Sequence, residues 1–198
     1  PRQDDMVQTG KRHDFLNRYR VGVDKNGVIR GVEMDLAGLC GCTADLSEGI
    51  VDRAMFHADN AYYYPATKIR GFRCRTNTVS NTAFRGFGGP KGMIAAEAMM
   101  DDIARATGQD PLFVRLANLY SPGRDTTPYG QKVEQHVLHR LMRQLAKEAD
   151  YEKRRRDLAK FNARSSYLKK GLALTPVKFG ISFTATHLNQ AGALMHVY

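Results

Sequence analysis

Apolar and polar residues alternate over Leu16–Asp24 and again over Val28–Cys40, the period of strands whose two faces meet different surroundings. Between them "KNG" has the composition of a compact hairpin turn, so the two runs are expected to pair antiparallel. From Leu46 the period changes. Leu46, Ile50, Ala54 and Ala58 recur every fourth residue beside Val51 and Met55, which predicts a helix with Thr43 or Asp45 available as its N-cap. "YYYPATK" closes that helix, and Lys68–Thr76 reads as another strand. A glycine-rich loop then leads into a helix from Pro90 to Thr107 carrying Ile94, Met99, Met100 and Ile103. Proline suits its first turn, where an absent amide hydrogen matters little. "GQDP" breaks the chain before a short helix ending near Tyr120.

The turn-rich stretch "SPGRDTTPYG", Ser121 to Gly130, is the expected inter-domain connection, dividing the chain into 1–120 and 121–198. An amphipathic helix with Val133, Val137, Leu141 and Leu145 on one stripe follows, then a charged helix from Asp150 to about Ala163. Lys170 to Tyr198 alternates with β-branched and aromatic residues and predicts strands. Strands and helices mix without regular βαβ alternation, which favours an α+β fold over a doubly wound sheet. "PRQDDM" reads as mid-protein sequence and "NQAGALMHVY" stops inside a strand-like run, so both ends are expected to be cut.

Composition narrows this picture. With 42% hydrophobic residues in 198, a sizeable core is possible. The net charge of +10 invites a nucleic-acid reading, but the basic residues are scattered. The one dense run, "EKRRRDLAK", is interleaved with acids and reads as a solvated helix face, so no specific nucleic-acid partner is expected. No apolar run approaches the roughly 18 residues of a membrane span, and no signal-peptide pattern opens the chain, so a cytoplasmic protein is expected. Cys40, Cys42 and Cys74 suggest a reducing compartment and small buried thiols, with Cys40 and Cys42 on one face if that run is a strand. His136 and His139 have ligand-like i, i+3 spacing without a carboxylate pattern and are expected at the surface.

The chemistry concentrates in "NTAFRGFGGPKG", Asn81 to Gly92. The dinucleotide fingerprint fails there, because Lys91 stands where its last glycine is required, and no Gly-Lys-Ser or Gly-Lys-Thr of a phosphate loop occurs anywhere. One reading is a structural turn whose phenylalanines pack inward. The other is a binding loop, since Arg85 between Phe84 and Phe87 holds five donors near a tight backbone. The residues alone leave both open. Arg53 sits beside the apolar helix stripe, where its stem could cover the core edge with the charge in water. Thr184 in "ISFT" could be a plain strand threonine.

"SNTAFRGFGGPKG" closely resembles a loop in the large subunit of the molybdenum hydroxylases, the xanthine dehydrogenase and aldehyde oxidase family. "DDMVQTGKRHDF", "DRAMFHADNAY", "VKFGISFTATHLNQAGAL" and "HVY" also look like stretches of that subunit, in the same order, so the likeness runs along essentially the whole chain. It implies a fragment joining the end of one molybdopterin-binding domain to the beginning of the next. The implied cofactor is molybdenum–molybdopterin, with FAD and 2Fe-2S clusters on other domains or subunits of an oligomer. The implied reaction is hydroxylation of hypoxanthine and xanthine to urate with oxygen from water, electrons passing to NAD. An aldehyde or another N-heterocycle is the alternative substrate class.

The resemblance carries roles to particular residues. Arg85 lies beside the cofactor, Phe87 over a flat purine, Phe183 edge-on to it, and Thr184 within hydrogen-bond reach of it. Arg53 is the cation that polarises a purine oxygen and marks the xanthine-oxidising branch. No catalytic residue is expected within the fragment: a base glutamate belongs downstream and a substrate-side glutamate upstream, and Glu97, Asp101 and Asp102 are poor substitutes. The isolated chain is therefore expected neither to hold the cofactor firmly nor to turn over purines. The short "TTPYGQKVEQ" connection resembles bacterial xanthine dehydrogenases. Lys91 departs from the family pattern, where glutamine is common.

Overall fold

The computed structural model of the chain describes residues 1–184, 187 and 189–198. A short helix α1 (Arg2–Gln8) precedes β1 (Phe15–Val23) and β2 (Ile29–Gly41), then come α2 (Ser47–Phe56), β3 (Thr67–Arg75), α3 (Gly89–Thr107), α4 (Pro111–Asn118), α5 (Leu138–Glu148) and α6 (Tyr151–Arg164). The strands form one sheet in the order β1-β2-β3, with β1 antiparallel and β3 parallel to the central β2. A parallel pair needs a crossover, and α2 supplies it. The mixture is the expected α+β arrangement, and the hairpin strands fall within a residue of the predicted ones.

Alternation in β2 sorts its residues between the two faces of the sheet. Val32, Met34 and Leu36 are buried in a core shared with Ala54, Ala58, Ala95, Ala96, Met99, Met100 and Ile103. Each large apolar side chain there contributes about 1.5–3 kcal/mol by leaving water. The intervening residues Glu33 and Asp35 instead meet Arg70 on β3, Asp35 at 2.6 Å, on a wet face. The hairpin turn is tied by Asp24, whose Oδ1 accepts from the amides of Asn26 and Val28 at 2.9 and 3.0 Å. Asp110 caps α4 in the same manner, accepting from the Leu112 amide at 2.8 Å.

Several expectations fail for identifiable reasons. Neither Thr43 nor Asp45 caps α2: the Thr43 hydroxyl bonds Ser80 at 2.5 Å, and Asp45 sits in the left-handed region at φ 42°. Ile94 is 65% exposed, because the buried face of α3 runs through Ala95, Ala96, Met99, Met100 and Ile103 instead. The stripe of Val133, Val137, Leu141 and Leu145 does not become the buried side of one helix. α5 begins only at Leu138, its buried residue is Met142, and Val133 is held in the preceding turn by an amide bond to the Asp125 carbonyl at 2.7 Å. His136 and His139 are half-buried, not at the open surface. Cys40 is buried, but Cys42 lies past the end of β2 and is exposed, so the two do not share a strand face.

The largest correction concerns 170–198. Among its described residues no strand occurs. Alternation provides two faces, but a strand also needs a second backbone to pair with. Here residues 176–182 find side chains instead, as the site shows; positions 185, 186 and 188 of that prediction lie outside the described residues.

Candidate functional site

The glycine loop is anchored at its start by Asn81, whose amide bonds the Cys40 carbonyl and whose side chain bonds the Leu39 carbonyl, both at 2.9 Å, tying it to the end of β2. Its glycines answer a steric demand. A Cβ on Gly88 would lie 2.0 Å from the Ile50 carbonyl oxygen, and one on Gly92 would lie 2.1 Å from that of Ala54. Four residues apart, at the N-cap and in the first turn of α3, they meet carbonyls four residues apart on α2, so the start of α3 rests directly on the α2 backbone. Gly86, Phe87 and Gly88 all have positive φ, at 90°, 44° and 93°. For Phe87 that conformation is uncommon, and it carries the ring over Gly49 of α2, whose added Cβ would be 3.2 Å from Phe87 Cε1.

Around Phe87 the structure gathers Arg53, Phe183 and Thr184. The Phe87 and Phe183 ring centroids are 5.0 Å apart at 45°, so the two rings touch, and a flat ring enters between them only by parting them. The Thr184 hydroxyl points to the Gly49 carbonyl at 3.5 Å, the long limit of a hydrogen bond. Arg53 is 4% exposed, so its head does not lie in water. The guanidinium sits between two rings, 5.7 Å from the Phe87 centroid and 5.5 Å from that of Phe179. It donates to three carbonyls in a row: Gly180 at 2.8 Å, Ile181 at 3.4 Å, and Ser182. Of its five N–H donors two remain, and its buried Nε has no acceptor among the described residues.

Arg53 is one of a set of side chains that grip this segment. His57 Nε2 accepts from the Gly180 amide at 3.0 Å. Asn60 acts as a stand-in peptide group, donating to the Pro176 carbonyl at 3.0 Å and accepting from the Lys178 amide at 3.2 Å. Lys178 reaches back to buried Asp59 at 2.7 Å, and Tyr120 donates to the same carboxylate oxygen at 2.5 Å. Burial pushes the Asp59 carboxyl above its usual value, with the Lys178 charge opposing. Beyond the grip, Asn189 brackets Phe183, its side chain bonding both the amide and the carbonyl at 2.9 Å. His57, Asp59, Asn60, Lys178 and Asn189 were not anticipated. The available signal was "DRAMFHADN", where polar residues share a helix end with fully buried alanines.

Arg85 is in the same loop but apart from this cluster. Its side chain is exposed and pairs with no acceptor among the described residues, while its carbonyl accepts from Arg12 Nη2 at 2.6 Å. Arg12 also lies 4.2 Å over the Phe84 ring, and its buried Nη1 has no partner among the described residues. Lys91 is buried close by. Loss of hydration, with Arg12 adding repulsion, lowers its ammonium to about 8. His13 bonds Ser47 at 2.6 Å and is held below its usual value by burial, with Lys91 contributing.

The acids of α3 have structural work. Glu97 bonds Arg115 at 2.8 Å, Tyr62 at 2.6 Å and Asn60 at 2.7 Å, while Asp101 holds the far side of Arg115 at 2.9 Å. Asp102 pairs with Tyr19 and Arg105.

The family model "Molybdopterin cofactor-binding domain" matches residues 1–119, and a second model of that description matches 144–198. Over its full length the chain is 48% identical to a xanthine dehydrogenase/oxidase of Gallus gallus and 46% identical to one of Felis catus, spanning 14% and 15% of their lengths. Among solved structures it resembles an aldehyde oxidoreductase from Desulfovibrio gigas with a TM-score of 0.72 at 31% identity, covering 83% of this chain and 18% of that one. A quinoline 2-oxidoreductase from Pseudomonas putida 86 shares the fold at a TM-score of 0.70 and 21% identity, over 83% of this chain and 22% of that one. No helix among the described residues is long and apolar enough to cross a membrane. The glycine loop, the α+β frame and two successive family matches together show that the chain belongs to the molybdopterin cofactor-binding domain family.

Proposed function

We propose that this chain is part of a molybdenum hydroxylase that oxidises hypoxanthine and xanthine to urate with oxygen drawn from water. Electrons then leave through 2Fe-2S clusters and FAD to NAD in the assembled, oligomeric enzyme. The observation that carries the purine assignment is the position of Arg53: a buried cation with two uncommitted donors, 5.7 Å from the Phe87 ring and bonded to the segment that carries Phe183 and Thr184. Negative charge gathering on a purine oxygen during attack at carbon is stabilised by such a fixed cation, and an aldehyde gains far less from it. In this reading Phe87 and Phe183 clamp the ring and Thr184 orients it.

The residues present fit the cofactor. Arg85 is an exposed guanidinium on the glycine loop, and Arg12, which packs against that loop from the segment before β1, presents a buried nitrogen; neither group has an acceptor among the described residues. We assign Arg85 to the molybdopterin, whose molybdenum supplies the redox chemistry when bound; the protein's share is to orient the ring and balance its charge. The general base is assigned to a glutamate outside these 198 residues. We also place a domain boundary near residue 121 and read the short connection after it as the bacterial arrangement. Three unpaired cysteines support a cytoplasmic setting.

Hydroxylation of an aldehyde is the second reading, favoured by the likeness to the Desulfovibrio gigas enzyme. Arg53→Met in the full-length enzyme separates the two. The purine reading expects kcat/KM for xanthine to fall by about 10²–10³ while an aromatic aldehyde is little affected. Full xanthine activity in that variant would show the assignment to be wrong.

A further inference from the structure

We propose that His57 is a positioning residue, a neutral imidazole clasp that holds Phe179–Thr184 against Phe87 and lets the segment go when it takes up a proton. Its effect on turnover rests on the purine reading above; the clasp itself does not.

The hydrogen bonds determine the tautomer. His57 Nδ1 faces the Arg53 carbonyl at 2.8 Å, and a carbonyl only accepts, so Nδ1 carries the hydrogen. Nε2 is therefore the acceptor, and the Gly180 amide donates to it at 3.0 Å. The Gly180 carbonyl is held in turn by Arg53 Nη1 at 2.8 Å. One residue is thus gripped on both of its backbone groups by side chains one helical turn apart. Three residues further on is Phe183, in contact with Phe87.

A second proton on the ring would set N–H against N–H at Gly180. The bond is lost, and as the segment moves away it also draws the Gly180, Ile181 and Ser182 carbonyls off Arg53. The surroundings oppose that proton at neutral pH. Arg53 on α2 and Lys178 on the segment are the charged groups facing His57, and Asp59 is already engaged with Lys178 at 2.7 Å. Phe179 covers the ring at 4.8 Å, and α3 approaches through Gly89 and Gly92. Burial first, then the two cations, holds the imidazole below its ordinary value of 6.5. The folded form therefore binds fewer protons than the open one below pH 6.5. Docking is complete above that pH and is lost progressively as pH falls below it.

Amide hydrogen exchange on the purified chain tests this directly. Protection at residues 180–183 is followed from pH 5 to pH 8, corrected for the intrinsic exchange rate, with β2 amides reporting the global fold. The wild type should lose protection at 180–183 progressively towards pH 5 while β2 stays protected. His57→Gln, whose side-chain oxygen can accept without titrating, should keep protection flat across the range. His57→Leu should lack it at every pH. Wild-type protection in His57→Leu, or an acid loss in His57→Gln as steep as in the wild type, overturns the proposal. Should the leucine variant unfold, the glutamine comparison decides. In the full-length enzyme the glutamine variant should also lose the acid-side fall in kcat/KM for xanthine. Absence of purine turnover in the wild type would overturn the purine reading alone, because the exchange result judges the clasp separately.

Discussion

Gly92→Ala sets two effects against each other on one helix. Alanine is the better helix former by about 1 kcal/mol, so in an open helix the substitution would stabilise. Here the added Cβ would sit 2.1 Å from the Ala54 carbonyl oxygen, 2.8 Å from the His57 carbonyl carbon and 2.9 Å from the Ala58 amide nitrogen. Those are backbone atoms, which cannot rotate aside. Ordinary contact begins near 3.4 Å, so α3 must lift from α2 by more than an ångström. Overpacking of flexible cores costs about 1–3 kcal/mol, and a backbone obstacle belongs at the upper end, leaving a net loss of about 1–2 kcal/mol. For a domain of this size that lowers Tm by about 2–8 °C. Thermal and urea unfolding of the purified chain measure it. Gly22→Ala is the control, because nothing lies within 4 Å of its Cβ and β1 should tolerate it or gain slightly. A Gly92→Ala protein as stable as the wild type would refute the direct seating of α3 on α2, and with it the account of why the loop is glycine-rich.

Two further outcomes follow from the charged groups. Glu97→Ala strips buried Arg115 of one partner while Asp101 remains, and should cost about 3 kcal/mol, read from the urea midpoint; an unmoved midpoint would show that Glu97 is dispensable to the network. Lys91, lowered from 10.5 to about 8 by burial, binds its proton less readily when folded than when unfolded. The wild type should therefore gain stability as pH rises from 8 towards 10 and lose it on return. Lys91→Gln should stabilise the chain at pH 7 by up to about 2–3 kcal/mol and abolish that rise, and a rise that persists in the variant would exonerate Lys91.

Much of the frame was legible from local pattern. β1 and β2 follow from alternation because one sheet face is buried and the other wet, and α3 follows from Pro90 at its start and from Met99, Met100 and Ile103 on its buried face. The final segment misled for the opposite reason. Alternation in 170–184 is real, but Arg53, His57 and Asn60 hold the backbone of residues 176–182, and no local pattern in the segment reveals partners more than a hundred residues away. α5 misled similarly: Leu141 and Leu145 make an apolar stripe, yet each is about half exposed while Met142 is buried.

For the site, the residues and their family likeness singled out Arg53, Arg85, Phe87, Phe183 and Thr184 as chemically important. Folding divided them. Positive φ at Phe87 and two backbone-seated glycines bring it to Arg53, and the side-chain grip brings Phe183 and Thr184 to the same place, while Arg85 is left facing outward. Residue types and spacing establish which groups can donate, stack or carry charge, since these properties belong to each side chain alone. Whether a guanidinium ends in water or against three carbonyls depends on which distant backbone reaches it, and that only the packed chain decides.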